Sequence, residues 1–457
     1  MTEQVATKIK TKRQQPKGPA PYRHEDLILV RATLSEIVQR TWTNNMDQWA
    51  KGVPLPQYHA REKYLASTAF SSDNRLITWV LVPKPDADVT MEYRQSTTTT
   101  DSNATNAVVG NAVRGGFDEK DGKDDNLERI MSAVETYERP GMVARVGENG
   151  EEEEVLEEVS SVSVASVYAP SKYRNHGYGK LMMKLLWEEI EKMGVSFTFL
   201  YSDLGPQFYT NFGWTARTST EIVIPPSMLL PSAPIATESG DAEDSQKRTT
   251  RALASANSVS LEAVVGDESL KTLVDRDAQL LRETLKQRVH EQKLEDAVSA
   301  TTTTTTFVAV TPEIRCFQWF YARAWYNATE IWKFNQSQIQ DGLHYGIRVQ
   351  GTHDQFALWH HDFTDDNLYI LRWRIDSTNS KEEADRIALA FVEAAQKEAK
   401  KWNLSKIVYW NADTALAKLL GLEVKHRDHS IPSLGMVNSL RDPQNMKWVL
   451  NEKYSWC

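Results

Sequence analysis

Residues 173–180 read YRNHGYGK, just after the apolar run SVSVASVYAP of 161–170. The run reads as a strand, and KLMMKLLWEEIEKMG from Lys180 to Gly194 has the spacing of an amphipathic helix. The octapeptide is therefore a strand-to-helix junction. A helix N-terminus exposes backbone N–H groups without intrahelical partners, together with the positive end of the helix dipole, so it draws anions. Gly177 and Gly179 remove the side chains that would keep a diphosphate from that backbone. Arg174 opens the turn and Lys180 adds charge at the helix start, so we read Arg174, Asn175, Gly177, Tyr178, Gly179 and Lys180 as an anion cradle. The spacing R-x-x-G-x-G is neither the Walker pattern nor the dinucleotide fingerprint, which need Gly-Lys-Ser/Thr or a third glycine. The plainer reading of the two glycines is a tight turn.

Working outward, 457 residues suffice for two domains with separate cores. A formal charge of -9 argues against a nucleic-acid or acidic-membrane binder, because a phosphate footprint needs a basic excess. No stretch approaches the apolar length of a membrane span, and MTEQVATKIKTKRQQPKG has no apolar core of the secretory kind. A cytoplasmic protein is expected. Cys316 and Cys457 give neither a disulfide framework nor a zinc spacing, and no metal is expected.

Residues 1–22 read as a solvated tail. DLILVRATLSEIVQRTWTNNMDQW predicts a strand and then a helix, and RLITWVLVPKP predicts a second strand. The polar residues 95–127 read as a disordered insertion, and ENGEEEEVLEE (148–158) as a solvated hairpin tip. A Ser, Ala and Thr rich linker at 233–258 divides a first domain, 23–232, from a second, 259–457. In the second, Leu270, Leu273, Leu281, Leu285 and Val289 mark a helix face that ends before a threonine run, 301–306, read as a surface loop. Strands FVAVT, QFALWHHDF, NLYILRWRID and KIVYW follow, with helices SKEEADRIALAFVEAAQKEAKKW and ADTALAKLLG. This mixture predicts an α/β or α+β sheet domain. Residues 164–214 and 368–422 share one order: strand, polar loop, helix, strand, helix, then glycine and an apolar residue. STNSKEE stands where the glycine loop would be in the second. The chain thus reads as a tandem repeat with one working site and one degenerate copy.

The loop, the strand and proline VYAPSKYRNHGYG, and FYTNFGW at 208–214 together resemble the GNAT superfamily of acetyl-CoA-dependent N-acetyltransferases. The resemblance implies an α/β fold, a GNAT-type mixed sheet flanked by helices, followed by a degenerate GNAT-like second domain walling the acceptor cleft. It implies that the backbone of Val167, Tyr168 and Ala169 holds the acetyl and pantetheine groups, and that the loop holds the diphosphate of acetyl-CoA. LYSDLGPQFYTNFGW and WVLNEKYSWC are further similar to fungal enzymes that acetylate the side-chain amine of free L-lysine in lysine catabolism. That likeness implies acetyl-CoA and an amine as partners, without nucleic acid or membrane. Acetylation of a protein lysine, or acyl-CoA binding without turnover, are the alternatives.

By the same resemblance Tyr209 stands where a tyrosine can donate a proton to the departing thiolate, while packing of the helix on the sheet is its plainer role. Ser202 stands where family members often carry an asparagine that bonds the pantetheine, a departure that weakens the contact. Glu135 and Glu138 are candidates for the base that takes the amine's proton. Arg31, Arg139, Arg372 and Arg374 are all open as partners for an acceptor carboxylate. His360 and His361 alternate across a strand and so point to opposite faces, His426 and His429 lack a third ligand, and IRCFQWFYARAWY reads mostly as core.

Overall fold

The structure is a computed structural model that describes residues 20–84, 93–95, 113–115, 127, 129–146, 154–231, 259–299, 305–335, 337, 339, 342–437 and 445–456. In chain order the first elements are β1 (Leu27–Arg31), α1 (Ser35–Trp49), α2 (Leu55–Ala66) and β2 (Leu76–Pro83). Next come β3 (Ser132–Val146), β4 (Glu154–Tyr168), α3 (Tyr178–Lys192) and β5 (Phe197–Ser202). The one-turn α4 (Gln207–Thr210), β6 (Thr215–Ala216) and β7 (Thr220–Ile224) follow. Beyond the linker stand β8 (Leu261–Val264), α5 (Gly266–Ser299), β9 (Thr306–Val310), α6 (Ile314–Tyr326) and β10 (Gly346–Val349). The chain continues through β11 (Phe356–Asp362), β12 (Asn367–Arg374), α7 (Lys381–Lys401) and β13 (Lys406–Trp410). It closes with α8 (Thr414–Leu420), β14 (Lys425–His426), β15 (Ile431–Met436) and β16 (Met446–Trp448). Mixed parallel and antiparallel sheets flanked by helices make this an α/β fold.

Local chemistry sets the helix boundaries. Ser380 caps α7 by accepting the Glu383 N–H at 3.2 Å, with Glu382 and Glu383 in the first turn and Lys400 and Lys401 in the last. Asp413 caps α8 through the Ala415 N–H at 2.8 Å. Gly421 ends it at φ 64, where the Leu422 N–H returns to the Ala417 carbonyl. Two expectations shift. Glu154–Glu158 lie in β4 rather than at a hairpin tip, with Glu157 paired to Arg145 at 3.0 Å. Thr305 and Thr306, the end of the threonine run, are buried, because β9 starts there. The linker lies outside the described residues, as does the 95–127 insertion apart from Leu127 and from Gln95 and Val113–Gly115, which belong to a ribbon with Tyr93 and Arg94.

The chain divides into two compact units that interleave in sequence. The first comprises 1–50, 77–135 and 166–189, and the second 51–76, 136–165 and 190–457. In the first unit β1 runs antiparallel to β2, Leu27 opposite Pro83 and Arg31 opposite Trp79. Val30, Val80, Val82, Ile130 and Ala133 form its small core.

The second unit holds two sheets. In one, β4 runs parallel to β5, from Ser161 opposite Phe197 to Val164 opposite Leu200. β15 adds antiparallel to β5 and to β6. In the other, the order is β8-β10-β11-β12-β13-β7-β14. There β12 runs parallel to β13, from Asn367 opposite Lys406 to Ile370 opposite Tyr409. The succession β4-α3-β5-α4-β6-β7 is therefore repeated as β12-α7-β13-α8-β14-β15. The last strands are exchanged: β7, from the first copy, pairs with β13 and β14 of the second, while β15 pairs with β5 and β6 of the first. Ile224, Trp359, Ile370, Phe391, Val392 and Ile407 centre one core of this unit, and Phe197, Phe199, Val308, Phe317, Phe356 and Tyr454 another. The alternation along β11 puts His361 with the first of these cores, held by Glu398 at 2.8 Å, and His360 on the opposite face.

Candidate active site

The strand-to-helix junction lies in the first unit. The β4–β5 ladder ends at Val164, although β4 continues to Tyr168. In that overhang Ser166 takes φ 54, a left-handed conformation that breaks the strand's alternation. Its hydroxyl donates to Glu135 Oε2 at 2.6 Å. Val167, Tyr168 and Ala169 follow, so their backbone lies past the parallel ladder. The Tyr168 phenol donates to Asp47 on α1 at 2.8 Å, and burial with this bond pushes its pKa up to about 12.

Pro170 ends the strand, and Arg174 Nε donates back to the Ala169 carbonyl at 2.9 Å, closing the turn. Asn175 at φ 69 and Gly177 at φ 84 bend the chain into α3. A Cβ on Gly177 would also stand 2.9 Å from the His24 ring, whose Nε2 bonds the His176 carbonyl at 2.8 Å. Tyr178 is buried: its phenol donates to the Tyr22 carbonyl at 2.8 Å and accepts the Tyr22 N–H at 3.1 Å. Its contribution to a ligand would come from its backbone. The first intrahelical bond runs from the Leu181 N–H to the Gly177 carbonyl at 3.0 Å. The N–H groups of Tyr178, Gly179 and Lys180 precede it and face out of the helix end.

Gly179 tests whether this cradle suits a diphosphate. Its φ lies outside the left-handed range, and a Cβ there would meet no atom within 4 Å. Nothing among the described residues requires a glycine at this position, whereas a phosphate drawn onto the backbone would. Exposed Arg174 and Lys180 flank that open space and supply positive charge. The residues fit the group.

Tyr209 and Ser202 belong to the second unit. Ser202 is buried at the end of β5, donating to the Gly205 carbonyl at 3.0 Å and accepting the Leu204 N–H at 3.1 Å. Its hydroxyl proton is thus used within its own turn. Tyr209 sits on α4 at 5% exposure, and its phenol has no hydrogen-bond partner among the described residues. Gly213 at φ 104 and the buried Trp214, whose Nε1 donates to Thr198 Oγ1 at 3.4 Å, fix that helix against β5. Burial and then Asp203 push the Tyr209 pKa up. A phenol already begins at ~10 against ~8.5 for a thiol, so full transfer of its proton to a thiolate runs uphill. What Tyr209 can supply is a hydrogen bond to a developing negative charge.

The two base candidates separate. Glu135 shares the first unit with the loop, whereas Glu138 is exposed in the second, where its N–H bonds the Arg75 carbonyl at 2.9 Å. Among the arginines, Arg372 is buried in a bidentate pair with Asp277 at 2.8 and 2.9 Å and a further bond to Glu452 at 2.7 Å. Arg139 is buried beside Glu313 at 3.7 Å and donates to the Ser455 carbonyl at 3.2 Å. Both hold the second unit together. The Ser166 turn and the Tyr22 and His24 contacts escaped sequence reasoning; the small Ala165-Ser166 step inside a β-branched run was the available signal. Among the described residues no three His, Cys, Asp or Glu side chains gather as a metal site, and no helix is long and apolar enough to cross a membrane.

The family described as LYC1 GNAT-like C-terminal domain matches residues 245–457. That match takes in just under half of the chain. A lysine acetyltransferase of Yarrowia lipolytica (strain CLIB 122 / E 150) is 22% identical over 361 residues, covering 72% of this chain and 84% of that protein. Among solved structures, a GCN5-related N-acetyltransferase from Kribbella flavida matches at TM-score 0.44 and 13% identity, covering 91% of this chain and 73% of the other. One from Anabaena variabilis ATCC 29413 matches at TM-score 0.45 and 14% identity, covering 90% and 73%. GNAT acetyltransferases take acetyl-CoA as co-substrate, and the open backbone at Gly179 beside exposed Arg174 and Lys180 has room and charge for a diphosphate.

Proposed function

We propose that this chain acetylates the side-chain amine of free L-lysine with acetyl-CoA, by direct attack of the amine. The observation that carries the chemistry is the glycine at 179, which no internal contact requires, at the exposed N-terminus of α3. The choice of amine is supported by the name of the Yarrowia relative, a lysine acetyltransferase. Acetyl-CoA supplies an activated acyl group. The backbone N–H groups of Gly177, Tyr178, Gly179 and Lys180, with the side chains of Arg174 and Lys180, bind its diphosphate. Asn175 shapes the turn. The backbone of Val167, Tyr168 and Ala169 orients the acyl carbonyl and the pantetheine, with Ser202 a lesser contact. Glu135 takes the amine's proton, since an amine of pKa ~10.4 enters largely charged. Tyr209 hydrogen-bonds the departing sulfur. Residues 23–232 are the working half and 259–457 the degenerate one, in a cytoplasmic enzyme of lysine catabolism.

The test is purified protein with acetyl-CoA and a panel of free amino acids, polyamines and lysine peptides, followed by thiol release. Release with lysine above all other amines is expected. Preference for peptides would replace the acceptor, and tight CoA binding without turnover of any amine would remove the activity.

A further inference from the structure

Buried cations in the second unit are generally matched. Arg372 has Asp277 and Glu452, and Arg139 has Glu313. Lys453, Arg427 and Arg323 break the pattern. Lys453 is 6% exposed and Arg427 5%, with Arg323 half-buried, yet among the described residues none of them has a carboxylate within ion-pair distance. They gather on the face of the second sheet that carries His360, Tyr369 and Trp410. The Lys453 ammonium lies 3.7 Å from the Trp456 ring centre, 4.0 Å from Trp410 and 4.7 Å from Tyr369. Arg427 stacks on Trp410 at 3.7 Å, and Arg323 lies 5.8 Å from Trp456.

The donors here outnumber the acceptors. Arg427 Nη1 donates to the Ser430 carbonyl at 3.0 Å, but its Nε and Nη2 are buried with no acceptor, as are Arg323 Nε and the indole N–H of Trp410. His360 Nδ1 is buried without a partner as well. Asp362 is the leading counter-charge to Lys453, and its Oδ1 is occupied by the N–H groups of Thr364 and Asp365 at 3.0 and 3.1 Å, while Glu221 and Asp203 act on Arg427 from beyond ion-pair distance. A buried donor without an acceptor costs ~1–3 kcal/mol, and an uncompensated buried cation costs more. A cluster of such groups set against the rings of Tyr369, Trp410 and Trp456 is complementary to a ligand that only accepts hydrogen bonds and carries negative charge. Burial pulls Lys453 well below its ordinary pKa, Arg323 and Arg427 push the same way, and Asp362 opposes.

We infer that Arg427, Lys453 and Arg323 form a carboxylate-recognition site, which takes the carboxylate of the acceptor amino acid. That assignment of the acceptor rests on the reading of the chain as an acetyltransferase of a free amino acid. Of the four arginines open to this role in the sequence, Arg139 and Arg372 are already paired.

The experiment is calorimetric titration of the full chain, in the presence of CoA, with L-lysine, with L-lysine amide and with cadaverine. The last two keep an amine and lack the carboxylate. L-Lysine should bind about tenfold or more tightly than either, the scale of charge-assisted bonds. In Arg427→Gln that ratio should fall towards one. Equal binding of lysine and its amide, or binding of neither, overturns the site, as does an unchanged ratio in a folded Arg427→Gln protein. The wild-type comparison decides the matter even if the variant does not fold. Thiol release is measured on the same samples. Turnover of lysine and its amide alike removes the carboxylate site and leaves the acetyltransferase reading standing. Discrimination in binding without turnover of any amine does the reverse.

Discussion

Leu434 lies opposite Phe199 in the antiparallel ladder that joins β15 to β5, and both side chains are fully buried. Its counterpart is Val223 opposite Val408, which joins β7 to β13. Each copy of the repeat thus completes its sheet with the other copy's strand. Leu434→Ala should cost about 2–5 kcal/mol of stability. Residues 20–231 expressed alone should fail to give a cooperative melt and should recover one when co-expressed with 259–456. A cooperative melt from the isolated segment would overturn the exchange.

Gly179→Glu should leave the melting temperature near that of wild type, because its Cβ has open space. It should abolish measurable CoA binding by placing a carboxylate where the diphosphate sits. Gly177→Glu should also lose binding, but with a lowered melting temperature, since φ 84 and the His24 ring both oppose a side chain there. Undiminished CoA affinity in the first variant would move the diphosphate elsewhere.

Tyr209→Phe should lower kcat by about 10²-fold while CoA affinity stays within a factor of two or so. Because burial raises this phenol's pKa, it stays protonated through the working range, and the alkaline limb of the pH profile should be the same in both proteins. A limb that disappears in the variant would show that the phenol itself ionises.

Glu135→Gln keeps an oxygen acceptor for the Ser166 hydroxyl and removes the proton acceptor. Turnover should drop by about 10²-fold at neutral pH and recover partly as pH is raised and more of the acceptor amine is free. Glu138→Gln, at an exposed position of the second unit, should be near neutral. The opposite ranking would exchange their roles.

His360 is fully buried, and burial pulls its pKa down to about 3, with Asp362 opposing and Arg323, His361 and Lys453 adding to the fall. Its folded value lies below its unfolded value of ~6.5, so between them the unfolded chain binds more protons. The stability is complete above pH ~6.5 and is lost progressively as pH falls towards 3. Melting temperatures taken from pH 7.5 to 4.5 should therefore fall more steeply for wild type than for His360→Gln; parallel curves would show that the ring is not held neutral.

The strand-to-helix junction was legible because its signals are local: the apolar strand, Gly177, Gly179 and the following helix are consecutive in the chain. The tandem repeat was legible because α3 and α7, with their flanking strands, carry the same periodicity. The exchange was not, since a strand such as TEIVI at 220–224 looks the same whichever copy it pairs with; only long-range register decides. The pairing of Arg372 and Arg139 was equally out of reach, because Asp277 and Glu313 are distant in sequence from the arginines they hold. The Arg427 and Lys453 cluster depends on residues from six separate segments, and no spacing rule joins them.

The exchanged strands also set a timetable. During synthesis β5 emerges long before β15, so its outer edge must stay open until residue 436 has left the ribosome. An unpaired edge of that kind invites pairing with neighbouring nascent chains. A chaperone that shields the half-made protein over that interval would raise its yield more than any added stability in the finished one.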